Sequence, residues 1–227
     1  VRLESGELVL SEDRSGWWNL IISDEKLVFG KNIKWNQICS IKAEFAFPQW
    51  VCGMSTISAC GKDILICVCE KGSWKIKRLK LDGSVIEIDQ PFDDLSGLHS
   101  EDGKAVLIAS NSFHEKGLLE LDVTTNKWEF SFSRDPHLSK NQISVAESFW
   151  FKGFDGQMTH AWFYPPSSGV SRSAPLLVKS HSGPTAMATS GLDLSIQFWT
   201  SRGWGVVDVN YGGSSGFGRS YRERLQG

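Results

Sequence analysis

Two glycine-bearing runs near the C-terminal end of the sequence have residue types suited to acyl-transfer chemistry. The first, His181-Ser182-Gly183-Pro184, follows the apolar stretch Pro175-Leu176-Leu177-Val178. A glycine lets the backbone come close to a ligand with no Cβ in the way, and a proline stiffens the turn without donating an N–H. Backbone N–H groups fixed in such a turn can aim at a carbonyl oxygen that becomes negative when its carbon is attacked. The second run, Gly212-Gly213-Ser214-Ser215-Gly216, satisfies Gly-x-Ser-x-Gly, the pattern that presents a nucleophilic serine on a sharp strand-to-helix turn. Here further glycines and Phe217 follow it in place of an immediate helix. The competing reading is a tight loop at a sheet's carboxyl edge.

No residues in the sequence are spaced to hold a metal. His99, His114, His137, His160 and His181 are scattered without ligand spacing, and the 5 cysteines, Cys39, Cys52, Cys60, Cys67 and Cys69, match no zinc site. The glycine cluster matches no phosphate-cradling signature, so no cofactor is expected. Cys67 and Cys69 are two apart in a strand-like run and share one face of it. The cysteines read as small buried hydrophobes in a reducing compartment, the cytoplasm or an organelle stroma. The 10 tryptophans read as packing residues.

The elements that must position these runs fall into two kinds. Up to about residue 138, short apolar or alternating runs recur between Gly, Asp, Asn and Ser turns, with no sustained helical period. They include Glu7 to Leu10, Trp18 to Ile22, Ile64 to Cys69, Ile76 to Leu81, Ala105 to Ala109 and Leu118 to Leu121. An internal echo relates Ser58-Ala59-Cys60-Gly61-Lys62-Asp63-Ile64 to Ser100-Glu101-Asp102-Gly103-Lys104-Ala105-Val106, and Leu79-Lys80-Leu81-Asp82-Gly83 to Leu119-Glu120-Leu121-Asp122-Val123. A repeat of roughly 40 residues with about four short strands suits a β-propeller blade. Two clear units and one partial one fit, so the circle is expected to be incomplete; a β-sandwich is the alternative. The turn and aromatic strand of such units are read at Ser15-Gly16-Trp17-Trp18 and Gly72-Ser73-Trp74.

The character changes near Pro136. Glu147 to Lys152 and Met158 to Tyr164 read as strands joined by a hairpin turn at Gly153-Phe154-Asp155-Gly156. Pro175 to Val178 reads as a short buried strand, Leu192 to Ser201 as a helix capped by Gly203, and Trp204 to Val209 as another buried strand. Strand, helix, strand with continuous apolar strands predicts a parallel sheet covered on both faces. The composition sets outer limits. The chain has 227 residues, a formal net charge of -2 and 41% hydrophobic residues, enough for a sizeable core in one large or two smaller domains. Near-neutral charge gives no reason to expect a nucleic-acid or anionic-membrane partner, and no apolar run is long enough to span a bilayer. With Val1 in place of an initiator Met, a natural N-terminus and any targeting signal on it are expected to be missing.

In this order the pieces resemble the prolyl oligopeptidase family of serine peptidases, nearest its acylaminoacyl-peptidase and dipeptidyl-peptidase-like branch. A His-Gly-Gly-Pro motif stands there at the place of residues 181–184. The hairpin around Asp155-Gly156, the run Arg202-Gly203-Trp204-Gly205-Val206-Val207-Asp208-Val209-Asn210-Tyr211, and Gly213-Ser214-Ser215-Gly216-Phe217-Gly218-Arg219 with Tyr221-Arg222 behind it follow the family pattern. The resemblance implies two domains: all-β, partial β-propeller blades over 1–138, then the beginning of an α/β-hydrolase peptidase domain over 139–227. It implies a serine-type exopeptidase or oligopeptidase that hydrolyses short peptides through a Ser-His-Asp triad and an oxyanion hole. Gly183 N–H is the implied first oxyanion donor and Ser182 N–H the second. Hydrolases of this fold run Ser, then Asp, then His, so His181 reads as a loop-positioning residue. A nucleophile elbow would sit one strand further along than Ser214, which makes Ser214 a decoy. The triad is expected beyond Gly227 and the fragment is expected to be inactive. Two departures matter: Ser182 replaces the usual first glycine, and Gly212 stands where an arginine is common, so substrate preference is not carried over. An esterase or lipase on the same fold, and a propeller interaction protein with a degenerate hydrolase half, are the other readings.

Overall fold

A computed structural model describes residues 1–26, 32–48, 50, 52–131, 138–169 and 171–226. Its strands form four sheets. The first holds β1 (Val9–Glu12), β2 (Asn19–Ser23) and β3 (Trp35–Gln37). The second is the meander β4 (Ile57–Cys60), β5 (Asp63–Glu70), β6 (Ser73–Leu79) and β7 (Val85–Glu87). The third is the meander β8 (Asp94–Glu101), β9 (Lys104–Asn111), β10 (His114–Asp122) and β11 (Lys127–Ser131). All pairs in these three sheets are antiparallel. No helix occurs among the described residues of this region, as the missing helical period requires.

Turn chemistry sets the hairpins. Lys71 and Gly72, between β5 and β6, and Asp102 and Gly103, between β8 and β9, all have positive φ. Two successive positive-φ residues give the turn whose twist matches antiparallel strands. The echo is structural: 41 positions separate Asp63, which opens β5, from Lys104, which opens β9. Ser58 and Ser100 also meet, Ser100 N–H donating to Ser58 Oγ at 2.8 Å.

The apolar run in β5 is continuous because both of its faces are covered. Leu65, Cys67 and Cys69 pack with Trp74, Ile76, Leu95, Leu107 and Leu119 between the second and third sheets. Ile64, Ile66 and Val68 pack with Val9, Leu20 and Phe45 against the first. Burying a large aliphatic side chain contributes about 1.5–3 kcal/mol, so these two layers hold the three sheets together. The shared face of Cys67 and Cys69 is as the sequence requires, and burial pushes the Cys67 thiol up to about 12. Cys52 departs from that reading, being exposed.

The fourth sheet has the order β12-β13-β15-β14, with β12 (Glu147–Lys152), β13 (Met158–Tyr164), β14 (Leu176–Ser180) and β15 (Gly205–Asn210). It is mixed: β14 and β15 are parallel, and β12 and β13 are antiparallel members. Helix α1 (Leu194–Thr200) joins the parallel pair, starting two residues later than the spacing suggests because Asp193 caps it, accepting Ser195 N–H. At its other end Trp204 N–H reaches Trp199 O and Gly203 N–H reaches Thr200 O, with Gly203 at φ +84. This is the glycine-dependent helix stop that Gly203 announces. A four-residue helix, α2 (Arg219–Arg222), follows the glycine-rich loop.

Three expectations are corrected here. The sheet is not parallel throughout. It is also not covered on both faces: Leu176 is 55% and Val178 68% exposed, because β14 is an edge strand and no described element lies over that face. Leu81 lies past the end of β6, in a turn, and is exposed. The change of character near Pro136, and His137, lie outside the described residues. No described helix is long and apolar enough to cross a membrane.

Candidate active-site loop

The strands β14 and β15 run parallel, so both chain segments leave the sheet at the same carboxyl edge. In open α/β sheets that edge is where ligands bind. There the sheet brings together the two runs singled out in the sequence, 181–184 after β14 and 211–218 after β15.

The first loop is open and glycine-dependent. Ser182, Gly183 and Pro184 are exposed, and among the described residues neither Ser182 N–H nor Gly183 N–H has a backbone acceptor. Gly183 sits at φ +72, with the Trp50 ring 3.4 Å from where a Cβ would stand. Its conformation is one that side-chain-bearing residues reach only at a cost of about 1–2 kcal/mol.

The second loop holds the first in place. Tyr211 Oη donates to Gly183 O at 2.6 Å, with His181 O at 3.2 Å, and its ring stacks on the His181 imidazole at 4.3 Å. Ser214 Oγ lies 2.7 Å from His181 Nε2 and 2.8 Å from Tyr211 O. One ordering of protons makes hydrogen bonds of both contacts: Nε2–H donates to Oγ, whose own proton goes to the carbonyl. Ser215 N–H donates to Ala186 O at 3.1 Å and Ser215 Oγ to Thr185 O at 2.7 Å. Asn210 Oδ1 accepts Ala188 N–H at 2.7 Å, while its Nδ2 reaches Ala188 O and His160 Nδ1. Asn210 and Ser214 are fully buried and Ser215 nearly so.

Ser214 therefore has the sequence pattern of a nucleophile and the surroundings of a strut. Its hydroxyl is sealed from solvent and already has both a donor and an acceptor partner. His181, held below the usual imidazole range by burial, is fixed through that strut. At Gly212, where an arginine is common in the family pattern, a Cβ would stand 3.1 Å from Arg224 Cβ, and Arg224 Nη1 donates to Met158 O at 2.8 Å.

A cleft of about 830 Å³ opens beside the loop, lined by His181, Ser182, Lys179, Asp193 and Asp208 on one side and by Asp94 and Lys116 of the third sheet on the other. Lys179 Nζ bridges Asp193 Oδ2 at 3.0 Å and Asp208 Oδ2 at 3.1 Å, and these carboxylates keep the Lys179 pKa raised against the opposing effect of burial. Asp94 Oδ2 takes Ser110 Oγ at 3.1 Å and Thr189 Oγ1 at 3.0 Å, which ties the third sheet to the loop behind residue 188. No described group of His, Cys, Asp and Glu is placed to hold a metal.

Trp50, Glu44 and Asp13 gave no signal of an anchoring role in the sequence. Trp50, 58% exposed, donates its indole N–H to Thr185 Oγ1 at 2.5 Å. Glu44, fully buried, takes Trp18 N–H at 2.8 Å, Gly218 N–H at 3.1 Å and the Arg222 guanidinium. Burial raises its pKa, against the opposing pull of Arg222. Arg222 also reaches Asp13 Oδ2 at 3.0 Å, and lies 4.2 Å from the Trp18 ring centroid. Arg219 forks onto both oxygens of Asp13, whose carboxyl is held below its usual range by that hydrogen bonding. These residues lie far apart in sequence, and only the docking of the first sheet against the glycine-rich loop brings them together.

No family model matches the chain. Among curated proteins, an uncharacterized peptidase of Bacillus subtilis is 20% identical over 161 residues, which is 70% of this chain and 24% of that protein. A probable dipeptidyl-peptidase 5 of Aspergillus flavus is 31% identical over 117 residues, 49% of this chain and 15% of that protein. Among solved structures, a puromycin hydrolase superposes with a TM-score of 0.88 at 32% identity, over 100% of this chain and 35% of its own. A puromycin-hydrolyzing peptidase of Mycobacterium tuberculosis gives 0.85 at 26% identity, over 97% of this chain and 35% of its own. The chain thus spans about a third of these structures' length and less of the curated relatives'. Its antiparallel sheets match the propeller domain of such peptidases.

Proposed function

We propose, from the premise that this chain belongs with the peptidases of the prolyl oligopeptidase family, that it is part of a serine peptidase acting on short peptides. In this reading residues 1–138 supply propeller blades and residues 139–227 open an α/β-hydrolase domain. The mixed sheet with its parallel pair, and helix α1 between the paired strands, support that division. The observation that carries the function is the exposed loop at the carboxyl end of β14, where the Ser182 and Gly183 N–H groups have no acceptor among the described residues, while the carbonyls of His181, Gly183, Thr185 and Ala186 are held by Tyr211 and Ser215. Gly183 N–H is assigned as the first oxyanion donor and Ser182 N–H as the second. Donors held in place before reaction need no reorganisation when charge develops on the substrate carbonyl. The cleft between the third sheet and the loop is where a peptide would lie, so the blades would limit access to small substrates.

The attacking serine, its histidine and its aspartate are assigned to residues outside this 227-residue sequence, since Ser214 is buried and committed to His181 and Tyr211. The 227-residue chain is accordingly inactive. The test is hydrolysis of N-acylated peptides, dipeptide amides and simple esters by the complete protein, with fluorophosphonate labelling of both forms. Peptide turnover and labelling by the complete protein alone support the reading. Turnover of esters only, or labelling of the 227-residue chain at Ser214, overturns it.

A further inference from the structure

We infer that Glu44 is a positioning residue, a carboxylate from the antiparallel-sheet region that fixes the glycine-rich loop and, through it, the shape of the His181–Gly183 loop. Four observations carry this. Glu44 is fully buried, yet both of its oxygens are used. One of its bonds is to the backbone of Gly218, a residue at φ +88 whose neighbour in space is the Trp17 ring. Its charge partner, Arg222, is also nearly buried and shares Asp13 with Arg219. The loop that ends at Gly218 is buried from 213 to 218, and it is the segment whose Ser214 and Ser215 hold His181, Thr185 and Ala186.

The charges in this cluster balance: Asp13 and Glu44 against Arg219 and Arg222. A buried charge that loses its partner is far costlier than a pair removed together, so the cluster responds differently to single and paired substitutions. Gln at position 44 keeps one acceptor oxygen but leaves Arg222 with a single carboxylate. Packing alone would not distinguish the two cases; a charge lock does. That the loop so held performs catalysis rests on the function proposed above, whereas the coupling of Glu44 to the loop does not.

The experiment is hydrogen exchange on the 227-residue chain, comparing wild type, Glu44→Gln, Arg222→Met and the double variant. The amides to follow are Ser215, which donates to Ala186 O, and Ala188, which donates to Asn210 Oδ1. Val207 in β15 is the control for global unfolding. The expected result is exchange at Ser215 and Ala188 faster by roughly tenfold or more in each single variant, with Val207 unchanged, and largely restored protection in the charge-balanced double variant. Faster exchange at Gly218 alone, with Ser215 and Ala188 unaltered, overturns the inference, as does a double variant no better than the worse single one. If a single variant unfolds, the double variant carries the test, because charge balance predicts that it folds. In the complete enzyme the same series should lower kcat and leave KM nearly unchanged. A chain that shows the exchange pattern while the complete enzyme proves inactive on peptides would retain Glu44 as the lock and refute only the peptidase reading.

Discussion

Lowering the pH from 7 to 5 should destabilise this chain through His160, and the size of the effect follows from its surroundings. His160 is fully buried in β13, boxed by Trp150, Trp162 and Phe217 with ring centroids 5.2, 5.0 and 4.8 Å away. Asn210 uses its oxygen for Ala188 N–H, so its amide nitrogen faces His160 Nδ1 at 3.0 Å. Nδ1 must therefore accept, and Nε2–H donates to Ser148 Oγ at 3.0 Å. A second proton would set N–H against N–H in a site closed to solvent. Burial accordingly pushes the His160 pKa from 6.5 down to about 4. The sign follows directly: between those values the unfolded chain takes the proton and the native chain refuses it, so stability falls as the pH falls. Linkage gives a loss of about 2 kcal/mol from pH 7 to pH 5, levelling off near 3 kcal/mol below pH 4. The assay is urea unfolding at both pH values for wild type and His160→Gln, which does not titrate. The pH-dependent loss should be about 2 kcal/mol smaller in the variant, other titrating groups cancelling in the comparison. NMR titration of the His160 ring provides a reading free of any folding defect in the variant. Equal pH dependence in the two proteins, or a ring midpoint near 6.5, refutes the reasoning.

Further outcomes are expected from the same geometry. Tyr211→Phe keeps the stack on His181 but removes the hydroxyl from Gly183 O, so it should cost about 1 kcal/mol of stability, read by urea unfolding of the 227-residue chain. Gly183→Ala keeps the N–H but strains a residue at φ +72, costing about 1–2 kcal/mol; wild-type stability would show that the loop differs from the structure described. Iodoacetamide should modify Cys52 in the native chain while sparing Cys67 and Cys69 until the chain unfolds, as peptide mapping would show, because burial disfavours their thiolates. Val178→Lys should change the stability of the 227-residue chain by less than about 0.5 kcal/mol, since Val178 is exposed there; a large loss would mean that this face of β14 is covered.

Local order in this molecule was readable where one strand or one turn decides it. Ile64 to Cys69 announced a strand, Gly203 announced the end of α1, and Asp155-Gly156 announced a hairpin, because each signal is complete within a few residues. β8, with the sequence Asp94 to Glu101, gave no such signal. Its apolar residues are few, and it is held by pairing with β9 and by Leu95 and Leu98 in the layer beneath. The edge position of β14 was equally invisible, since an apolar run states that a strand can be buried and not that something covers it.

The candidate site divides along the same line. Backbone-determined features were legible: a glycine before a proline after a strand, and a second glycine-rich loop one crossover later. What fixes them was not, because Glu44, Asp13 and Trp50 act across 135 to 209 positions of sequence. The serine run shows the cost of reading pattern without environment. Gly-x-Ser-x-Gly specifies a flexible approach to a serine and says nothing of whether its hydroxyl meets substrate or a neighbouring loop. Here the same glycines that would expose a nucleophile let the chain fold tightly enough to seal Ser214 against His181. A catalytic serine needs an open face and a base aligned on it, whereas a strut needs two partners and no solvent. Ser214 meets the second set of conditions, with His181 Nε2 and Tyr211 O as its partners and no exposure to solvent.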